Sequence, residues 1–131
     1  MRVLLVDDHR IVRESLAMLL EAEPDMEIVG YASTGREGIA LVRQLHPDVV
    51  LMDITMPEMD GIEATRRIRA EAPATCIIGL SMAARDEQAE AMRDAGAMDY
   101  VPKTAPATEL LVVMRGCYAR LREDRPPASG A

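Results

Sequence analysis

Five short apolar runs in this chain each give way to a stretch with helical spacing, and that alternation constrains the fold more than any other feature. The runs lie at residues 1–6, 27–32, 49–52, 76–80 and 99–101. Residues 9–22 put Val12, Leu16, Leu19 and Leu20 on one helical face, and Pro24 closes it. Thr34, with Glu37 three residues later, forms a capping box for a helix that carries Ile39, Val42 and Leu45 inward and stops at Pro47. Asp60 and Glu63 repeat that signature for a helix through about Ala72, with Ile62 and Ile68 facing in. Residues 84–95 are rich in alanine and charge, with Met92 as their one large apolar residue, and Gly96 stands where a carboxyl-end cap belongs. Pro106 opens a last helix with Leu110, Met114, Cys117 and Leu121 along one stripe.

A crossover of helix length returns the chain in the same direction, so the strands should be parallel. The expected architecture is α/β: a single doubly wound, flavodoxin-like domain with a five-stranded parallel sheet of order 2-1-3-4-5 and five helices. At 131 residues there is chain for one good core, over residues 1–121, and not for two. Residues 122–131 hold two prolines and small residues with nothing to bury, and read as a flexible tail or linker. With 49% apolar and 28% charged residues the chain is globular, and no apolar run is long enough to cross a bilayer. The net charge of -7 would repel the phosphate backbone, so direct nucleic-acid binding by this segment is not expected. Cys76 and Cys117 fit no metal-ligand spacing and read as core thiols in a cytoplasmic protein. His9 and His46 read as isolated loop or helix-start residues rather than ligands.

The chemistry collects where the runs end. Val49 to Met52 stops abruptly at Asp53, and the first run stops at Asp7 and Asp8; Ser81 and Lys103 follow the fourth and fifth runs. In the order 2-1-3-4-5 all of these reach one rim, the carboxyl edge where ligands of such sheets bind. An aspartate can attack phosphorus and carry the phosphoryl group as an acyl phosphate if a cation offsets the meeting of two anions. Three carboxylates in one pocket favour a hard divalent ion, and magnesium suits one or two carboxylates plus waters. Each residue alone has a plainer reading: an Asp-Asp pair before a helix is most often a cap, Lys103 a solvated surface lysine, Ser81 a loop hydroxyl. Their common edge favours the chemical reading.

The order Asp7-Asp8, M-D-I-T-M-P-E-M-D-G around Asp53, L-S-M with Ser81 and D-Y-V-P-K with Lys103 resembles the receiver domain of two-component response regulators (CheY-like), over residues 1 to about 121. The phrases D-D-H-R-I-V-R and G-I-E-A-T-R-R-I look most like the subgroup with a LuxR-type (NarL-like) helix-turn-helix output. The resemblance implies that Asp53 accepts a phosphoryl group from a phosphohistidine of a sensor histidine kinase. It implies that Asp8, Asp53 and the backbone carbonyl of Thr55 hold Mg2+, with Mn2+ as a substitute, and that Asp7 binds through a metal-bound water. Lys103 and Ser81 would serve the phosphoryl oxygens. Ser81 and Tyr100 would form the switch that reshapes the surface of the fourth helix, fifth strand and fifth helix, with homodimer formation on phosphorylation. DNA would be reached through a C-terminal helix-turn-helix and not through this segment.

Two features depart from the family pattern. Proline precedes Lys103, as Pro102, and Thr104 follows it; Met82 stands after Ser81 where a small residue is common, and Ala83 beyond it can neither orient nor acidify a water. A hybrid sensor kinase or a stand-alone regulator would use the same receiver. A haloacid-dehalogenase-type phosphatase also uses a strand-end aspartate and magnesium, but needs a second aspartate where Thr55 stands. A flavin module needs aromatic stacking, and the chain has no Trp or Phe.

Overall fold

The computed structural model describes residues 1–54, 61–81 and 86–124. Five strands alternate with five helices: β1 (Arg2–Val6), α1 (Arg10–Glu21), β2 (Glu27–Ala32), α2 (Gly35–Leu45), β3 (Val49–Asp53), α3 (Gly61–Glu71), β4 (Cys76–Ser81), α4 (Asp86–Ala95), β5 (Asp99–Pro102) and α5 (Ala107–Asp124). The sheet is parallel throughout and its order is β2-β1-β3-β4-β5, the doubly wound arrangement the alternation predicts.

β3 lies in the middle of that order, and every one of its five residues is buried, as a strand covered on both faces must be. Alternate side chains sort to opposite faces. Val50 and Met52 join Ile39 and Val42 of α2, Ile68 of α3 and Met92 of α4. Val49 and Leu51 join Leu20 of α1 and Leu110, Met114 and Cys117 of α5. Each such fully buried side chain contributes about 1.5–3 kcal/mol. Among its described side chains α4 buries Met92 and the small Ala89 and Ala95, so one large side chain anchors it to the core.

Local signals behave as the residues dictate. Thr34 Oγ1 accepts from the Glu37 N–H at 3.1 Å, while Glu37 Oε1 accepts from the Ser33 N–H, one residue before the usual reciprocal partner. Gly96 has φ +117°, a conformation that a side chain would strain, and its N–H closes onto the Arg93 carbonyl after α4. α5 continues to Asp124, past residue 121, and in its last turns Arg122 donates to the Tyr118 hydroxyl one turn back and lies over its ring. The rest of the expected tail, residues 125–131, lies outside the described residues.

One expectation needs correction. Cys76 and Cys117 are buried as predicted, yet they are paired as a disulfide that joins the start of β4 to α5, not separate thiols. The stripe that carries Cys117 inward lays it across Cys76, at a sequence separation of 41 that no local pattern reports. Such a bond is uncommon in reducing compartments. Among the described residues no helix is long and apolar enough to cross a membrane.

Candidate functional site

Register assembles the site. Val6 pairs with Met52, so the next residues, Asp7 and Asp53, come level on adjacent strands. Ser81 pairs with Pro102, which places Lys103 one step beyond Ser81, and the Lys103 N–H is bonded to the Ser81 carbonyl at 2.6 Å. Four residues spread over nearly a hundred positions thus meet at the carboxyl edge of three neighbouring strands and β5.

Their charges meet as well. Lys103 Nζ lies 2.7 Å from Asp7 Oδ2 and 3.2 Å from Asp53 Oδ1. The lysine side chain is 6% exposed, Asp7 1% and Asp53 3%, so one cation faces two carboxylates away from bulk water. It is also the only lysine in the chain. Burial pushes the Asp53 carboxyl up, the charge of Asp7 adds to this, and Lys103 only partly offsets them, leaving Asp53 at about 6. Burial also works against the charge on Lys103, but the two carboxylates prevail and hold its amine above the ordinary lysine value.

Asp7 has a structural duty too: its Oδ1 accepts from the His9 N–H at 2.8 Å, which ties the entry into α1. Asp8 is more open to solvent. The sequence reading of His9 as isolated does not hold: its Nδ1 lies 3.0 Å from Asp7 Oδ1 and 3.1 Å from Asp8 Oδ1. Arg13, one helical turn further, carries no sequence signal of a site role, yet its Nη1 donates to the Asp7 carbonyl at 2.6 Å. Ser81 is buried at the end of β4, and Tyr100 is half-buried beside the α4 face of the core. Thr55, Met82 and Ala83 lie outside the described residues.

One ligand atom from each of Asp7, Asp8, His9 and Asp53 falls within 4.8 Å of the others. Three of the four are carboxylates, a hard, anionic donor set that suits a divalent cation. A lone lysine does not neutralise three acids, so the cluster carries excess negative charge that a cation would relieve.

The raised Asp53 carboxyl has a measurable consequence. Its folded value of about 6 lies above the ordinary 3.8, so ionising it costs stability. That cost is absent below about pH 4, grows as pH rises through 6, and is full above it. Asp53→Asn should therefore raise the stability of the metal-free protein at pH 8 by about 2 kcal/mol, and the gain should vanish near pH 4. Thermal melts in EDTA across that range check it; a gain independent of pH would contradict the assigned cause.

The family profile of the response regulator receiver domain matches residues 3–115. The transcriptional regulatory protein LiaR of Bacillus subtilis (strain 168) is 47% identical over 114 residues, 87% of this chain and 54% of LiaR. The response regulator protein VraR of Staphylococcus aureus (strain NCTC 8325 / PS 47) is 36% identical over 114 residues, again 87% of this chain and 54% of VraR. This chain spans about half the length of these curated relatives. Among solved structures, a LuxR-family two-component response regulator from Aurantimonas sp. SI85-9A1 superposes with a TM-score of 0.87 at 39% identity, covering 91% of this chain and 85% of the other. The signal receiver domain of the putative response regulator NarL from Mycobacterium tuberculosis gives 0.85 at 27% identity, covering 90% and 95%. Strand-end acids opposed by one buried lysine, on a sheet of this order and with relatives of this kind, place the chain in the response regulator receiver domain family, of the NarL/LuxR subgroup.

Proposed function

We propose that Asp53 is the phosphoacceptor of this receiver and that its donor is a phosphohistidine on a sensor histidine kinase. The observation that carries this is the placement of Lys103 Nζ between Asp7 and Asp53. An Asp53 oxygen forms the new bond to phosphorus as the bond from phosphorus to the histidine nitrogen breaks, and the imidazole leaves with its electron pair and takes a proton. Lys103 meets the phosphoryl oxygens with a compact, buried charge, and the Ser81 hydroxyl donates to one of them. Asp8, Asp53 and the Thr55 carbonyl would hold Mg2+, or Mn2+ in its place, with Asp7 reaching it through a water. Bound there, the ion would offset the repulsion between carboxylate and phosphoryl group. The chain is a phosphoacceptor that assists its own phosphorylation rather than a turnover enzyme; Thr55 in place of a second aspartate disfavours the phosphatase alternative.

Ser81 drawn toward the phosphoryl oxygen would let Tyr100 turn inward, changing the surface of α4, β5 and α5. Anchorage of α4 through the single large side chain of Met92 suits it to that part, because switching elements come from the less stable regions of a fold. Phosphorylation then need only bias two states that coexist. Exposed Ile11 and Met18 on α1 and Val112 on α5 offer an apolar face for a homodimer. The receiver unit is residues 1–121, with 122–131 as the link to an output. A cytoplasmic transcription factor that contacts DNA through a separate helix-turn-helix fits the names of the LiaR and LuxR-family relatives. A hybrid kinase or stand-alone regulator is the second reading.

Incubation with Mg2+ and acetyl phosphate, followed by intact mass and size-exclusion runs, tests the proposal. The wild type should gain one phosphoryl group and shift toward a dimer, and Asp53→Ala should do neither. A gain that survives in Asp53→Ala, or that is absent from the wild type with Mg2+, overturns it.

A further inference from the structure

His9 is the one member of the four-residue cluster to which phosphoryl transfer gives no task. It occupies the N-cap of α1, but its side chain makes no capping hydrogen bond, so helix initiation does not account for where the imidazole sits. Its Nδ1 is 3.0 Å from Asp7 Oδ1 and 3.1 Å from Asp8 Oδ1. Ligand atoms at right angles around an ion with bonds of about 2.1 Å are about 3.0 Å apart, so the separation from Asp8 Oδ1 equals one edge of an octahedral shell, while Asp7 stands outside that shell and reaches the ion through a water. The same distances also suit an N–H bond to the carboxylates. The two roles differ in what they do to ion choice: a hydrogen bond that only orients carboxylates affects all divalent ions alike, whereas a coordinating imidazole favours transition ions over magnesium.

We propose that His9 supplies a nitrogen donor to the cation site of Asp7, Asp8 and Asp53, so that the site discriminates in favour of transition-series divalent ions such as Mn2+ over Mg2+. This rests on reading that cluster as a cation site. The position next to Asp8 is a specificity determinant within this site. A carboxamide or methyl group there would leave an oxygen-only shell, in which Mg2+ competes on better terms.

Calorimetric titration of the full chain with MgCl2 and with MnCl2 tests this, comparing wild type, His9→Ala, Asp53→Asn and His46→Ala. His9→Ala should weaken Mn2+ by roughly tenfold while Mg2+ changes less than about twofold. The Mn2+ electron spin echo of the wild type should carry strong modulation from a directly bound nitrogen, lost in His9→Ala and kept in His46→Ala, since His46 caps α2 at the other end of the sheet. If Mn2+ binds and depends on Asp53, but the Mn2+ to Mg2+ ratio is unchanged in His9→Ala and no nitrogen is coupled, this inference fails and the cation site stands. An equal fall for both ions in His9→Ala likewise overturns it, reducing His9 to orienting the carboxylates. If Mn2+ binding is absent or indifferent to Asp53→Asn, the cation site itself is refuted.

Discussion

Lys103→Ala should cost about 3 kcal/mol of stability at pH 8 without metal and slow phosphorylation of Asp53 by about a hundredfold or more. The first effect follows from what remains. Asp7 and Asp53 come level on adjacent strands, both nearly inaccessible to water, and the amine at 2.7 and 3.2 Å is the ion pair that joins them. Removing one member of a buried pair leaves its partners charged and desolvated, and the carboxyls respond by taking up a proton. The penalty should therefore shrink toward pH 5, where that proton is easily supplied. Two further readouts separate lost charge from lost packing. Asp7→Asn combined with Lys103→Ala should recover part of the loss, and Mg2+ should raise the melting temperature of Lys103→Ala by more than that of the wild type, because the amine no longer competes with the ion. The second effect, on rate, should persist at saturating Mg2+. A positive charge aimed at the phosphoryl oxygens acts where charge develops, and loss of one such donor typically costs 10²–10³. Lys103→Arg should rescue the fold better than the rate, since a planar fork cannot reproduce a point charge in this space. Wild-type kinetics in Lys103→Ala would remove Lys103 from the site.

The elements were legible because each is specified by residues close in sequence. β3 shows as Val49–Met52 ended by an acid; α2 shows as Thr34 and Glu37 followed by inward Ile39 and Val42; Gly96 marks the end of α4. The rim was legible one level up. Once the strand order is 2-1-3-4-5, the ends of β1, β3, β4 and β5 must neighbour one another, and Asp7, Asp53, Ser81 and Lys103 come with them. Pairings set by side-chain direction across distant segments left no such trace. Cys76 with Cys117 and Arg115 with Glu23 and Asp25 depend on how α5 lies over β4 and over the turn before β2. His9 was missed for a different reason: it sits in sequence beside the acids it contacts, but whether a helix-start imidazole folds back or points outward is a rotamer choice that composition does not encode. Nor does the apolar stripe, which ends at Leu121, show that α5 runs on to Asp124.

Gly61→Ala and Gly116→Ala make the same chemical change and should move stability in opposite directions. Gly116 lies exposed within α5, and a Cβ there meets nothing within 4 Å, so alanine should stabilise by about 0.5–1 kcal/mol through the entropy it removes from the unfolded chain. Gly61 begins α3, and its N–H donates to the Ile54 carbonyl at 2.7 Å. That bond draws the helix start onto the end of β3 so closely that a Cβ on Gly61 would overlap the Asp53 carbonyl oxygen and approach the Ile54 Cα to 2.8 Å. These are backbone atoms, with no rotamer to turn aside. Either α3 retreats, giving up the hydrogen bond and loosening Ala64 and Ile68 in the core, or the peptide of Asp53 moves. We expect a loss of about 3 kcal/mol or more, at the upper end for overpacking because the obstruction is main chain. Asp53 itself would be displaced from Lys103 in whatever fraction stays folded, so phosphorylation per folded molecule should fall too, which separates a misplaced acceptor from mere unfolding. Urea titrations of the two variants beside the wild type, with acetyl phosphate labelling of each at a temperature where it is folded, provide the comparison. A Gly61→Ala protein as stable as the wild type would mean that α3 does not start against the acceptor strand as described, and the placement of Asp53 would have to be redrawn with it.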